Sequence, residues 1–339
     1  MIGRLPKKED FEKMKFTNLG RSGLKVSRLT LGSWNFGLNT DEKEAFAIMD
    51  AALDAGINII DTANHYPDFV NCGRTEEIIG RWFAQGNNRR ERVILATKVY
   101  QPMMNPIDGP NDAGGLSKYK IIRHVEGSLK RLQTDYIELY QMHHIDRRTP
   151  WEEVWEAFET LALQGKICYV GSSNFPAWSI ALAQAKAAAR NFLGLVSEQH
   201  KYSLLCRLPE LEVLPAAKHL GIGVFTHSSL ANGLLTGKAL NPDKSSRAYK
   251  NKELVDANRE ALTKFESLCN ELGESGADVA NAWILANPAV SSCILGARTK
   301  AQLENSLRTL DINLDDDVMR RLDEIFPGPG GSAPEAYAW

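Results

Sequence analysis

The chain has 339 residues, of which 40 are basic and 42 acidic, so its net charge is −2. This balance, with 43% hydrophobic and 24% charged residues, is typical of a globular protein and disfavours nucleic acid as a partner. No apolar stretch approaches the roughly eighteen residues of a membrane span. The first twenty residues lack the apolar core of a secretory signal, so we expect a cytoplasmic protein with no membrane partner.

Short apolar runs alternate with helical patterns along the whole chain. The runs predict eight strands, at residues 27–34, 58–63, 92–100, 137–143, 167–173, 195–202, 222–228 and 292–297. Apolar residues with a period near 3.6 predict helices at residues 41–55, 75–83, 117–132, 178–190, 208–219, 258–272 and 299–310. A further helix carries the apolar stripe of Trp151, Trp155 and Phe158.

Eight strand–helix units favour an α/β fold, the (β/α)8 TIM barrel, because each parallel strand needs a crossover helix. A doubly wound sheet is the competing fold, but the first strand is followed by no Gly-x-Gly-x-x-Gly sequence. Turn residues within 14–26 predict a β-hairpin before the barrel. We divide the chain into an N-terminal extension (1–14), the barrel (15–326) and a tail (327–339). Polar stretches at 101–115 and 241–253 predict long loops.

In such a barrel the catalytic side chains lie at the carboxyl ends of the strands. Those ends contain Asp61, Tyr66, Lys98 and His143. A charged Lys beside a Tyr lowers the pKa of the phenol, and a carboxylate keeps the Lys charged, so the Tyr can act as a general acid. His143 can orient a substrate oxygen. These four residues therefore predict a site that protonates a carbonyl oxygen, and such a site also needs a source of hydride.

Several motifs occur together in one order. They are Asp-Thr-Ala-x-x-Tyr (61–66), Ala-Thr-Lys (96–98), Leu-Tyr-Gln-Met-His (139–143), Gly-Ser-Ser-Asn-Phe (171–175), Gly-Leu-Leu-Thr-Gly-Lys (233–238) and Ile-Leu-Gly-Ala-Arg-Thr (294–299). With the Gln199 strand, they resemble the aldo-keto reductase superfamily from about residue 15 to 310. The stretch 114–132 is similar to the branch that contains bacterial aldehyde reductases and potassium-channel β subunits.

The resemblance implies reduction of aldehydes or ketones with NADPH, which becomes NADP+. Tyr66 would donate the proton, Lys98 and Asp61 would tune it, and His143 would orient the substrate. The implied cofactor-binding residues are Ser33, Trp34, Asp61, Ser173, Asn174, Gln199, His227, Ser228, Leu230, Gly233, Lys238, Arg247, Gly296, Arg298 and Gln302. Among them, Arg298 and Gln302 would lie near the 2′-phosphate and adenine. His227 replaces the family's usual aromatic residue, and Asn305-Ser306 replaces a usual Glu-Asn.

Other interpretations stay open. The chain could be an NADPH-binding regulatory subunit with slow turnover, or a lyase that forms a Schiff base on Lys98. A metal site at His143-His144 is disfavoured, because adjacent strand residues point to opposite sides and no ligand spacing completes it. The tail contains Tyr337 and Trp339. It is either a frayed terminus or an aromatic flap that covers the substrate pocket or a neighbouring subunit. The carbonyl substrate and any homo-oligomer stay undetermined, with specificity expected from Trp34, Tyr202, the two long loops and the tail.

Overall fold

The computed structural model describes residues 14–110, 114–244 and 246–338. An antiparallel hairpin comes first, in which β1 (Phe16–Asn18) pairs with β2 (Lys25–Ser27). Its side chains Leu19 and Val26 are buried in an apolar cluster with barrel residues such as Phe225. The hairpin predicted within 14–26 is therefore confirmed, and the structure shows that it packs against the barrel.

Eight parallel strands close into a barrel. They are β3 (Leu29–Gly32), β4 (Ile59–Asp61), β5 (Ile94–Val99), β6 (Ile137–Met142), β7 (Ile167–Ser173), β8 (Leu195–Lys201), β9 (Gly223–His227) and β10 (Val290–Leu295). Each strand pairs with the next one along the chain, and β10 pairs with β3 to close the ring. The predicted (β/α)8 fold is confirmed.

Helices surround the barrel. They are α1 (Glu42–Asp54), α2 (Arg74–Ala84), α3 (Lys118–Leu132), α4 (Trp151–Leu163), α5 (Ala177–Ala188), α6 (Val213–Leu220), α7 (Arg247–Lys250), α8 (Lys252–Ala257), α9 (Arg259–Leu272), α10 (Gly276–Ala286), α11 (Lys300–Ser306), α12 (Asp316–Ile325) and α13 (Glu335–Ala338). Side-chain caps begin several of them: Asp41 accepts from the Glu44 amide and Ser117 from the Lys120 amide. In the described ranges, no helix has the length and apolarity to cross a membrane.

Some predicted boundaries are wrong. The predicted strand 27–34 is divided between two strands: Ser27 ends β2 of the hairpin, and Leu29 begins β3 of the barrel. Between them, the Arg28 guanidinium donates to the carbonyl oxygens of Val290 and Ser291. Helix α10 was not predicted, because nearly all of its faces are apolar and buried, so its sequence shows no stripe. Helix α12 was also missed. The stretch 241–253 is not wholly irregular: it contains α7 and the start of α8.

The tail is attached to the barrel over its first part. Directly before the tail, the Arg207 guanidinium donates to the Phe326 carbonyl oxygen at 2.8 Å, and within the tail the Ala333 amide donates to the Leu211 carbonyl oxygen at 2.8 Å. These bonds argue against simple fraying up to residue 333. The side chain of Tyr337 and all of Trp339 lie outside the described residues, so the predicted aromatic flap is not tested.

Candidate active site

A buried ion pair lies at the carboxyl ends of β4 and β5. Lys98 Nζ is 2.6 Å from Asp61 Oδ2 and donates to the Thr62 carbonyl oxygen at 2.8 Å. Lys98 is fully buried. Burial alone lowers the pKa of this ammonium, but the charges and hydrogen bonds of Asp61 and Tyr66 outweigh burial and leave the pKa raised. The Lys98 side chain therefore stays charged.

Two amide side chains hold the second oxygen of the same carboxylate. Gln199 Nε2 donates to Asp61 Oδ1 at 2.8 Å, and Gln141 Nε2 donates to it at 3.0 Å. Gln199 was predicted at the site, but Gln141 was missed. The signal for Gln141 is a polar residue at the carboxyl end of β6, the end of a barrel strand at which site residues lie.

Tyr66 lies in the turn that follows β4. The Lys98 ammonium is 5.1 Å from the centre of its half-buried ring. Burial raises the pKa of the phenol, the Lys98 charge lowers it, and the raising effects prevail. The expectation that Lys98 brings this pKa down is therefore wrong for the net shift, because burial outweighs the Lys98 charge and Asp61 adds to the rise. The phenol is protonated at neutral pH.

Two histidine rings, those of His65 and His143, lie next to Tyr66, and a third ring stacks on one of them. The His143 ring centre is 5.7 Å from that of Tyr66 and 4.9 Å from that of His65. His144 stacks on His143 with an angle of 6° between the rings. The prediction that His143 and His144 point to opposite sides is wrong, because β6 ends at Met142 and strand alternation no longer applies.

Burial keeps these histidines neutral. Burial is the largest cause of the low pKa of both His143 and His65: the His143 pKa lies far below its ordinary value, and the His65 pKa is about 4. The charge of Lys98 lowers both pKa values further. The Nδ1 atoms of His143 and His65 are buried and have no hydrogen-bond partner among the described residues. His65 was not among the predicted site residues. Within the described ranges, no three His, Cys, Asp or Glu side chains are grouped to hold a metal ion.

The ends of β7, β8 and β9 bring further predicted residues together. The Asn174 side chain donates through Nδ2 to Ser173 Oγ at 2.9 Å, and the Asn174 backbone amide donates to the Gln199 backbone carbonyl oxygen at 3.0 Å. The His227 ring lies between Asn174 Oδ1, 3.2 Å from Nε2, and Ser228 Oγ, 3.1 Å from Nδ1. Burial and the Lys98 charge lower the pKa of His227 to about 4, so the ring is neutral.

Ser33 and Trp34 extend the site along the end of β3. Ser33 Oγ donates to the Asp61 carbonyl oxygen at 2.8 Å. Trp34 is 40% exposed, and the Arg247 guanidinium lies over its ring at 4.7 Å. Arg247 also donates to Asn35 Oδ1 at 3.1 Å, and Asn35 Nδ2 donates to the Gly296 carbonyl oxygen at 2.9 Å. Sequence reasoning missed Asn35, which joins the predicted residues Arg247 and Gly296.

Arg298 lies near Arg247 on the same side of the site. Burial first, and then the charge of Arg298, lowers the pKa of Arg247. The Arg298 amide donates to Gln302 Oε1 at 2.9 Å, at the start of α11. The structure therefore brings two guanidinium groups close enough to repel each other.

The predicted residues after β9 lie on an irregular segment. The Leu230 carbonyl oxygen accepts from the Gly233 amide at 2.8 Å within a loop and 3₁₀ turn. Gly233 has φ +91°, and a Cβ at this position would meet Ala248 N and Arg247 Cβ at 3.4 and 3.5 Å. Lys238 is exposed, and among the described residues no hydrogen bond or ion pair connects its side chain with the other site residues. Tyr202, a predicted specificity residue, is 1% exposed, bonded to Glu210 and Asn287, so it is part of the core.

Comparison with known proteins agrees with this geometry. The model of the "Aldo/keto reductase family" matches residues 28–326. The chain is 61% identical to "Uncharacterized oxidoreductase YrpG" of Bacillus subtilis (strain 168), over 96% of this chain and all of that protein. It is 38% identical to "Probable voltage-gated potassium channel subunit beta" of Oryza sativa subsp. japonica, over 88% of this chain and 92% of that one.

A third relative is more distant. The chain is 31% identical to "Protein tas" of Escherichia coli (strain K12), over 93% of this chain and all of that protein. These relatives lie in the predicted branch, and the match supports a general oxidoreductase function. By the extent of the family match and the eight-stranded barrel that carries it, this chain belongs to the aldo/keto reductase family.

Proposed function

We propose that this protein reduces aldehydes or ketones to alcohols with NADPH, and that Tyr66 donates the proton to the carbonyl oxygen. The observation that carries the proposal is the position of the half-buried Tyr66 phenol, beside both the Asp61–Lys98 ion pair and the His143 ring. A proton donor, a fixed cation and a neutral imidazole together suit the protonation of a polarised carbonyl.

The protonation states support this role. The raised pKa of Tyr66 keeps the phenol protonated at neutral pH, so it holds the proton that the substrate oxygen needs. The Lys98 ammonium stabilises the phenolate that remains after transfer, and Asp61 keeps that ammonium charged and oriented. The neutral His143 orients the substrate oxygen through a hydrogen bond. NADPH, when bound, supplies the hydride for the carbonyl carbon.

The donor set around the site fits that cofactor. Ser173, Asn174 and Gln199 carry amide and hydroxyl groups suited to a carboxamide, and they are already connected by hydrogen bonds. On the other side, the repulsion between Arg247 and Arg298 favours an anion between them, which a 2′-phosphate provides. We therefore propose a preference for NADPH over NADH.

A regulatory subunit is the second candidate, because one relative is named a potassium-channel β subunit. Such a protein would bind NADPH with little turnover. The lyase on Lys98 is less consistent with the site, since imine formation needs a neutral amine and the Asp61 carboxylate keeps Lys98 charged.

The test is a titration with NADPH and with NADH, followed by quenching of tryptophan fluorescence, and then a turnover assay with a panel of aldehydes and ketones. Tighter binding of NADPH with consumption of NADPH by a carbonyl supports the reductase. Tight binding without turnover on any carbonyl supports the regulatory subunit. Binding of neither cofactor contradicts both.

A further inference from the structure

The loop that leaves β5 is held by a buried carboxylate. Asp108 is 3% exposed, and its two oxygens accept from the Met103 amide at 3.1 and 2.9 Å. Lys120 Nζ, on α3, lies 3.4 Å from the same carboxylate. The loop begins beside the active site, since the Tyr100 ring meets the His144 ring edge-on at 5.4 Å. Asp108 therefore fixes a segment that borders the site.

A histidine on α3 connects this carboxylate with the catalytic turn. His124 is 1% exposed; its Nε2 is 3.0 Å from Asp108 Oδ1 and its Nδ1 is 2.9 Å from Asn64 Nδ2. An amide nitrogen only donates, so Nδ1 accepts and the ring proton is on Nε2, which contacts the Asp108 carboxylate without forming a hydrogen bond to it among the described residues. The ring is neutral, because burial and the Lys120 charge lower its pKa to about 4.

Asn64 lies two residues before Tyr66. Its side chain is fully buried, and its Oδ1 has no hydrogen-bond partner in the part of the chain that the structure describes. Its backbone amide donates to the Lys98 carbonyl oxygen at 3.2 Å. The contact with His124 therefore orients the Asn64 side chain, and with it the turn that carries Tyr66.

We propose that His124 is a positioning residue which couples the 101–110 loop to the catalytic turn through the contacts Asp108–His124–Asn64. A displacement of the loop is thereby transmitted to the segment that carries Tyr66. His124 touches neither substrate nor cofactor. Only the turnover readout below rests on the proposed reductase function.

Hydrogen exchange tests the coupling without a substrate. In Asp108→Asn, we expect amide exchange of the peptide covering residues 62–66 to rise by about tenfold, although Asp108 does not touch that peptide. His124→Phe, which keeps a ring of similar size, should give the same rise. Adding Asp108→Asn to His124→Phe should give no further rise. Unchanged exchange at 62–66 in Asp108→Asn, whose side chain keeps its shape, would overturn the proposal even if His124→Phe failed to fold.

Arg123 provides the matched control. It lies next to His124 on α3 and donates to the carbonyl oxygens of Ile107 and Pro106, at 2.9 and 3.3 Å, so it holds the same loop from outside. Arg123→Gln should raise exchange in the loop and leave residues 62–66 unchanged. An equal rise at 62–66 would show that any loosening of the loop reaches the turn, and would contradict a specific role of His124.

Turnover gives an independent measurement. We expect His124→Phe to lower kcat by about tenfold, because a catalytic group is misplaced, with the Kd of NADPH unchanged. With His124 present, the combined effect of Asn64→Ala and Asp108→Asn on kcat should depart from additivity by a factor of about two or more. In the His124→Phe background, the effects of the same two substitutions should be additive. Additivity in both backgrounds would overturn the coupling. If the wild type reduces no carbonyl, the proposed function fails, while the exchange experiment still decides the role of His124.

Discussion

The two sides of the site are built differently. Asp61 and Lys98 lie on neighbouring barrel strands, where the main-chain ladder pairs Asp61 with Ala96 and Lys98 with Gln141. Arg247 and Arg298 lie instead on a short helix and in the turn before α11. The first pair is held in place by the register of the sheet, whereas the second depends on side-chain contacts such as that of Arg247 with Asn35.

This difference separates chemistry from binding. A strand end holds a charged group where small displacements are costly, as a proton-transfer site requires. Loops and helix ends can exchange one partner for another when a ligand arrives. Substitutions on the strand side should therefore lower kcat, and substitutions on the loop side should raise the Kd of the cofactor.

The largest effect is expected at Tyr66. Tyr66→Phe removes the proton donor and should lower kcat by on the order of 10² to 10⁴. The Kd of NADPH should be unchanged, because the substitution removes one hydroxyl and keeps the ring. Steady-state kinetics and a fluorescence titration measure the two. Near-wild-type turnover would refute the proton-donor assignment.

Lys98→Met should affect both chemistry and stability. It leaves the Asp61 carboxylate buried without its cation, which should lower the free energy of unfolding by about 3–5 kcal/mol. Without the ammonium the pKa of Tyr66 rises further, so the alkaline limb of kcat/KM for reduction should move to higher pH. Urea unfolding and a pH–rate profile are the measurements, and Lys98→Arg, which keeps the charge, is the control. A limb that moves to lower pH would contradict the assignment.

On the loop side, Arg298→Ala should weaken NADPH binding by about ten- to a hundredfold, because it removes charge-assisted bonds to a phosphate. NADH binding and kcat should hardly change. Arg247→Ala should weaken NADPH binding less than Arg298→Ala does, because removing Arg247 also removes its repulsion with Arg298, which offsets part of the lost affinity. An unchanged preference for NADPH in Arg298→Ala would remove the phosphate assignment.

The smallest effect concerns the neutral histidines. His65 and His227 have pKa values of about 4 in the fold and an ordinary value of 6.5 when unfolded. Between these values the unfolded chain binds more protons, so stability is lost as the pH falls. As the pH falls from about 7 to about 5.5, each of these two histidines should lower the free energy of unfolding by about 1 kcal/mol.

Urea unfolding at the two pH values measures this loss. His227→Phe should reduce it, and His219→Gln, at an exposed position away from the site, should not. An equal pH dependence in all three proteins would show that these buried rings are not its source.

Much of the architecture was predictable because it follows local periodicity. The apolar stripe of Trp151, Trp155 and Phe158 predicted α4, and the eight apolar runs predicted the barrel strands. Helix α10 shows the limit: a helix buried on most sides carries no stripe to recognise. His144 shows a second limit: its ring stacks on that of His143, because the alternation of side chains ends where the strand ends.

The sequence by itself therefore determined the barrel, the strand ends and the types of residue that lie there, since these depend on period and on order along the chain. Tertiary structure alone decided the sign of the shift in the Tyr66 pKa, the second hold of Gln141 on Asp61, and the contacts of His124 with Asn64 and Asp108. The physical reason is that burial, charge–charge distance and hydrogen-bond geometry depend on side chains that are far apart in the chain and meet only after the barrel closes.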